Sequence, residues 1–140
     1  MEDGWKHVSL DDLEANPEKP GRRWEASPAF GIDAFNFNVA VLESDERLSQ
    51  NHFHYHENQK ELFYVVSGAC RVETRDEGFT AGEDEIIAFR EGPAGAHLVH
   101  NPFEEPCKLV AIGWPQDGRY PVRQLETAAD VIDATGAERD

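Results

Sequence analysis

Apolar and polar residues alternate through the middle of the chain. Phe35, Phe37, Val39 and Val41 fall on one side of an extended segment and Asn36 and Asn38 on the other, the period of a half-buried strand. Similar runs follow at Asn51–His56, Glu61–Val66, Cys70–Arg75, Glu85–Phe89, His97–Asn101 and Lys108–Trp114. Loops with Gly68, Gly78, Gly82, Gly92, Pro93, Gly95 and Pro102 separate them. Seven short strands without an intervening long helix predict an antiparallel barrel or sandwich. Residues 1–33 read as an arm. There Ser9-Leu10-Asp11-Asp12 resembles a helix-start capping pattern with Asp in place of Glu, and Pro17, Pro20, Gly21 and Pro28 leave room for one short helix at most. The division is therefore an arm (1–33), a β domain (34–114) and a tail (115–140), with a short helix expected from Thr127 to about Ala134 and closed by Gly136.

Composition narrows the function classes. A chain of 140 residues suits one domain. Its apolar runs, such as Ile86-Ile87-Ala88-Phe89, fall far short of the roughly 18 residues that span a bilayer. The start, Met1-Glu2-Asp3-Gly4-Trp5-Lys6, has neither the basic beginning nor the apolar stretch of a secretory signal, so a cytoplasmic location is expected. Two cysteines, Cys70 and Cys107, make no disulfide framework and read as reduced packing residues. With 28 acidic residues against 13 basic ones, the net charge of −15 disfavours nucleic acid and anionic membrane as partners. A surface so acidic and lysine-poor also suits a salt-adapted protein.

The chemical signal is a row of histidines. His52, His54 and His56 occupy alternate positions of one strand, so their side chains project to one face, with neighbouring imidazoles about 7 Å apart at the backbone. Glu57-Asn58-Gln59-Lys60 has the length of a hairpin connection, which would return Glu61 to the adjoining antiparallel strand beside the pair. Two imidazoles and one carboxylate, with positions left open, suit Fe(II), Mn(II), Zn or Ni better than Mg or Ca.

These residues carry a family resemblance. His54-x-His56, four residues, Glu61, six residues, Gly68 is similar to the first motif of the cupin superfamily, although Leu48 stands where that motif has a glycine. Gly82, Pro93-Ala94-Gly95-Ala96-His97 and Asn101 resemble the second motif, with ten residues rather than five before Pro93 and one rather than two between Gly95 and His97. The resemblance implies a jelly-roll barrel in which His54, His56, Glu61 and His97 hold one divalent transition metal. It leaves the reaction open, because the small cupins include dioxygenases, isomerases, decarboxylases and non-catalytic binding or regulatory proteins. A small-molecule ligand or substrate and a homodimer are implied as partners.

Other side chains read more plainly. Glu57 is a distant second to Glu61 as carboxylate ligand, and His100 should point to the face opposite His97. His52 is read as a rim residue and His7 as a surface residue. Arg22-Arg23 read as a solvated pair, with an anionic substrate as the sharper alternative. Phe35, Phe37, Phe63, Tyr64, Phe89 and Trp114 are mostly core, or cavity lining. Only His52, Tyr55 and Tyr64 stand within sequence reach of the metal ligands as a further acid or base.

Overall fold

The fold is taken from a computed structural model that describes residues 4–18, 21–48, 53–116 and 122–125. Among the described residues ten strands form two antiparallel five-stranded sheets. The first has the order β1 (Arg22–Glu25), β2 (Asn36–Leu42), β9 (Cys107–Trp114), β4 (Lys60–Ser67), β7 (Ile86–Phe89). The second runs β10 (Val122–Leu125), β3 (Phe53–His56), β8 (His97–His100), β5 (Cys70–Thr74), β6 (Gly78–Ala81). The all-β antiparallel expectation holds. The closed barrel does not: the two sheets remain separate, and side chains from their inner faces fill the space between them as in a sandwich.

The sheets extend beyond residues 34–114 on both sides. β1, in the segment read as an arm, pairs with β2, and β10, in the segment read as a tail, pairs with β3. The start pattern at Ser9 does cap a single 3-10 turn, Leu10–Asp12: the Ser9 hydroxyl accepts from the Asp11 amide, and Asp12 Oδ2 accepts from the Ser9 amide at 2.9 Å. A second 3-10 turn, Ser27–Phe30, exceeds the one short helix expected there. The helix expected at 127–134 lies outside the described residues. Among the described residues no helix is long and apolar enough to cross a membrane.

The orientation of β2 corrects the sequence reading. Ala40 and Leu42 belong to the core cluster, whereas Phe37, Val39 and Val41 do not; the Asn-bearing side therefore faces the opposite sheet. Alternation gives the two faces but cannot choose between them when the polar side also holds Ala40 and Leu42. The inward choice makes sense along the sheet. The row Asn36, Gly113, Glu61, Phe89 crosses β2, β9, β4 and β7, and further along the same strands come Leu42, Leu109 and Val65, all fully buried. The interior is thus polar at one end and apolar at the other.

The apolar end holds Leu42, Phe63, Val65, Val72, Val99 and Leu109 together with both cysteines, which are free thiols as expected. The hydrogen bond between them and burial push the Cys70 thiol up, while the same hydrogen bond, against the effect of burial, holds Cys107 below the ordinary thiol range. At the turn from β4 to β5, Gly68 has φ +75°, and a Cβ there would lie 2.2 Å from the Pro106 carbonyl oxygen. Left-handed backbone and close chain approach both demand glycine. Gly95 is held by proximity alone, since a Cβ would come within 1.9 Å of the Arg90 carbonyl oxygen.

Asn101 closes the loop after β8. Its amide donates to the carbonyls of Leu42 at 2.9 Å and Glu105 at 2.8 Å, and its Oδ1 accepts from the Phe103 amide at 2.9 Å. The side chain is fully buried, so Asn101→Ala strands several polar groups and is expected to cost about 2–3 kcal/mol in urea unfolding. A loss within experimental error would show that water replaces the amide there.

Candidate metal centre

The histidine strand and the glutamate strand lie in different sheets. β3 carries His54 and His56 in the second sheet, and β4 carries Glu61 in the first, so Glu57-Asn58-Gln59 crosses between sheets instead of closing a hairpin. This corrects the route by which Glu61 reaches the site while keeping the encounter: it arrives from across the sandwich, facing the imidazoles. His97 is the first residue of β8 and the direct cross-strand partner of His54, which places their Cβ atoms about 5 Å apart. The ring centroids are 4.8 Å apart.

Glu61 is the centre of the cluster. Its Oε1 lies 3.1 Å from His56 Nε2 and 3.2 Å from His97 Nε2. Ligand atoms of His54, His56 and Glu61 all fall within 4.8 Å of one another, and His97 joins them through the carboxylate. His97 Nδ1 is 2.7 Å from the Gly95 carbonyl oxygen; a carbonyl only accepts, so Nδ1 carries a proton and Nε2 is the nitrogen turned to Glu61, a donor when the ring is protonated and a free ligand lone pair when it is neutral. Fixing an imidazole in this way through a backbone carbonyl is a common arrangement for a metal-binding histidine. Phe89 stacks on the same ring, with centroids 3.7 Å apart and planes inclined by 14°.

Charge supports the same reading. Burial alone would raise the Glu61 carboxyl, but in the metal-free protein the close approach of His56 and His97 and their positive charge when protonated override it and hold the group well below the usual carboxylate range. Glu61 Oε1 is nevertheless buried without a directed hydrogen bond: two imidazole nitrogens crowd one oxygen without good hydrogen-bond geometry. Three nitrogen donors and a carboxylate converging in this way fit a divalent transition metal.

In chelator-treated protein the depressed carboxyl sets the sign of a pH effect. A group whose folded pKa is lowered adds stability that is fully present above the ordinary carboxylate range and is lost progressively as pH falls from that range toward the lowered pKa. Urea unfolding from about pH 6 to about pH 3 should therefore show wild type and Glu61→Gln converging as the solution becomes acidic. A gap that does not change with pH contradicts the assignment.

The remaining candidates disperse. Glu57 is exposed and binds Arg123 at 2.7 Å. His100 lies on the opposite face from His97, as expected, 3.5 Å from Glu73. His7 is exposed, and His52 lies outside the described residues. Arg22 pairs with Glu43 and stacks over Trp24, and Arg23 donates to the Leu48 carbonyl, so neither awaits a substrate at this site. Tyr55 alternates with the histidines and packs with Phe53 and Ala96; Tyr64 bonds Asp84.

Two contributors escaped sequence reasoning. Gln59, placed in a turn by its neighbours, is 4% exposed and donates to the Pro115 carbonyl at 3.0 Å. It occupies the space a side chain at Gly113 would need, where a Cβ would come within 2.8 Å of it. No local sequence signal marks that role. Phe89 read as ordinary core, and its stacking on His97 depends on the pairing of β7 with β4, which sequence spacing does not reveal.

Two facing antiparallel sheets with an inward His/His/Glu cluster define a class of all-β proteins. The chain belongs to the cupin family, whose Cupin domain model matches residues 42–113. No curated protein matches the sequence. Among solved structures, a sugar phosphate isomerase of the cupin superfamily from Silicibacter pomeroyi is similar over 87% of this chain and 83% of its own, with 21% identity and TM-score 0.71. A polyketide cyclase from Streptomyces resistomycificus aligns over 94% of this chain and 93% of its own, with 21% identity and TM-score 0.72. A predicted oxalate decarboxylase from Thermotoga maritima aligns over 79% and 99%, with 13% identity and TM-score 0.64. These identities support a shared fold, and the three names span unrelated reactions.

Proposed function

We propose that this cupin is a metal-dependent enzyme acting on a small polar molecule, of dioxygenase or isomerase type, with His54, His56, Glu61 and His97 holding one Fe, Mn, Zn or Ni ion. The observation that carries the reading is the crowding of Glu61 Oε1 by two imidazole nitrogens at 3.1 and 3.2 Å. When bound, the ion would supply a Lewis acid or a redox centre. The chain's own part is to present neutral imidazoles in fixed orientation, with Gly95 holding the His97 proton on Nδ1 and Phe89 setting the ring plane. Three-nitrogen, one-carboxylate ligation leaves coordination positions for substrate or water. We further place the protein in the cytoplasm as a homodimer.

The reading is tested by elemental analysis of anaerobically purified protein followed by an oxygen-uptake screen. A dioxygenase holds Fe(II) and consumes oxygen; an isomerase turns over without it. Protein free of transition metal would sink both versions.

One observation favours a second reading, a non-catalytic metal or small-ligand binding protein that serves as a sensor. Of the acid and base candidates among the described residues, Tyr55 packs on the face away from the histidines and the Tyr64 hydroxyl is engaged by Asp84. An enzyme needs a proton donor or acceptor near the ion unless bound water or a ligand side chain serves. Metal bound without turnover across a panel of polyols, sugar phosphates and carboxylic acids selects this reading.

A further inference from the structure

A cavity of about 540 Å³ opens against Glu61 and draws its walls from both sheets: Phe79 from the second, Ile87, Phe89 and Trp114 from the first, with Lys60 and Arg90 also lining it. Most described basic side chains are engaged: Arg22 with Glu43, Arg71 with Glu73, Arg75 with Asp76 and Arg123 with Glu57. Lys6 and Arg23 donate to backbone carbonyls. Lys60 and Arg90 have no ion pair or side-chain hydrogen bond among the described residues, although 28 acidic residues are available in the sequence.

β4 pairs with β7 as far as Glu61 opposite Phe89, and Lys60 and Arg90 are the residues next to that pair along the chain. On its other side Lys60 pairs with Trp114. The acidic groups of the cavity are engaged elsewhere: Asp76 is 3.7 Å from Arg75, and Glu61 lies against His56 and His97. Two cations lining one cavity in a chain of net charge −15 form a place where an anion would make charge-assisted contacts.

We propose that this cavity binds a small organic anion, its carboxylate or phosphate group held between Lys60 and Arg90 and its apolar body against Trp114, Phe79 and Ile87. The volume suits a small-molecule ligand. The inference deepens the proposed function by naming the charge class of the substrate, and it rests on that reading only for the ligand's catalytic meaning, because binding to the cations does not require the metal.

The test is titration calorimetry on the full chain in low-salt buffer with phenylphosphonate, phenylacetate and the uncharged phenylacetamide. At least one acid should bind and the amide should not; whichever acid binds more tightly assigns the phosphate or the carboxylate class. Lys60→Gln and Arg90→Gln should each weaken acid binding by about fivefold, and the pair by more than either alone. Lys108→Gln, opposite Ser67 at the far end of β4, should leave it unchanged. The affinity should also survive His54→Ala with His56→Ala, so loss of the metal reading and loss of this one are separable. Failure of both acids to bind overturns the proposal. So does affinity indifferent to the paired Gln variant, affinity weakened equally by Lys108→Gln, or affinity that disappears with the histidines.

Discussion

His54→Ala combined with His56→Ala is expected to take the protein from about one transition-metal ion per chain to none, with both sheets still formed. The loss should be near total because β3 alone supplies two of the three imidazoles, and what remains, Glu61 with His97, cannot complete even a three-ligand set. The fold should survive because neither histidine belongs to the apolar core cluster and β3 keeps its ladder to β10. In the chelator-treated state the substitution also removes a positive partner from Glu61, whose carboxyl should then move back toward its ordinary range. Elemental analysis gives the stoichiometry, and far-ultraviolet circular dichroism checks the sheets. Equal metal content in wild type and the double variant would place any bound ion elsewhere. Unfolding of the double variant would instead assign the histidines to structure, and His54→Asn with His56→Asn, similar in size, then separates the two cases.

What could be read from the sequence follows from the distances involved. Alternation along β3 put His54 and His56 on one face, because a strand's geometry is set within a few residues. The position of Gly68 was legible as a motif, although the Pro106 carbonyl that forbids a side chain there was not. Sheet membership was illegible. A four-residue connection from His56 to Glu61 fits a hairpin as well as a crossing between sheets, and only the pairing of β4 with β9 and β7 decides for the crossing. For the same reason the inward side of β2 came out reversed from the sequence: a strand in a sheet with apolar residues on both faces gives no local preference. His97 reached the site because β8 pairs with β3 at a single position, His54 opposite His97, a long-range contact that the shortened Gly95-to-His97 spacing did not prevent. That Lys60 and Arg90 line one cavity lay equally beyond a one-dimensional reading, since they stand far apart in the sequence.

Phe63→Ala should be the most damaging single core substitution for both stability and site, costing roughly 3–5 kcal/mol. Phe63 is 2% exposed and occupies the inner face of β4 two residues after Glu61. Its ring meets Phe89 edge-on at 5.4 Å and His97 at 6.0 Å, so it is the layer on which the metal-site side chains stand. Removing it opens a cavity among Phe89, His97 and the apolar core, and the rigid sheets can collapse into it only in part. Against a typical stability of about 5–15 kcal/mol, the loss is large enough to lower the urea midpoint substantially. A conservative comparison separates packing from site geometry: Phe63→Leu keeps most of the volume and should recover much of the stability. It lacks the ring edge that supports the Phe89–His97 stack, so metal affinity should recover less than stability does. Equal recovery of both would mean that filling the volume is enough to seat His97, and the aromatic contact would have no separate part in positioning it.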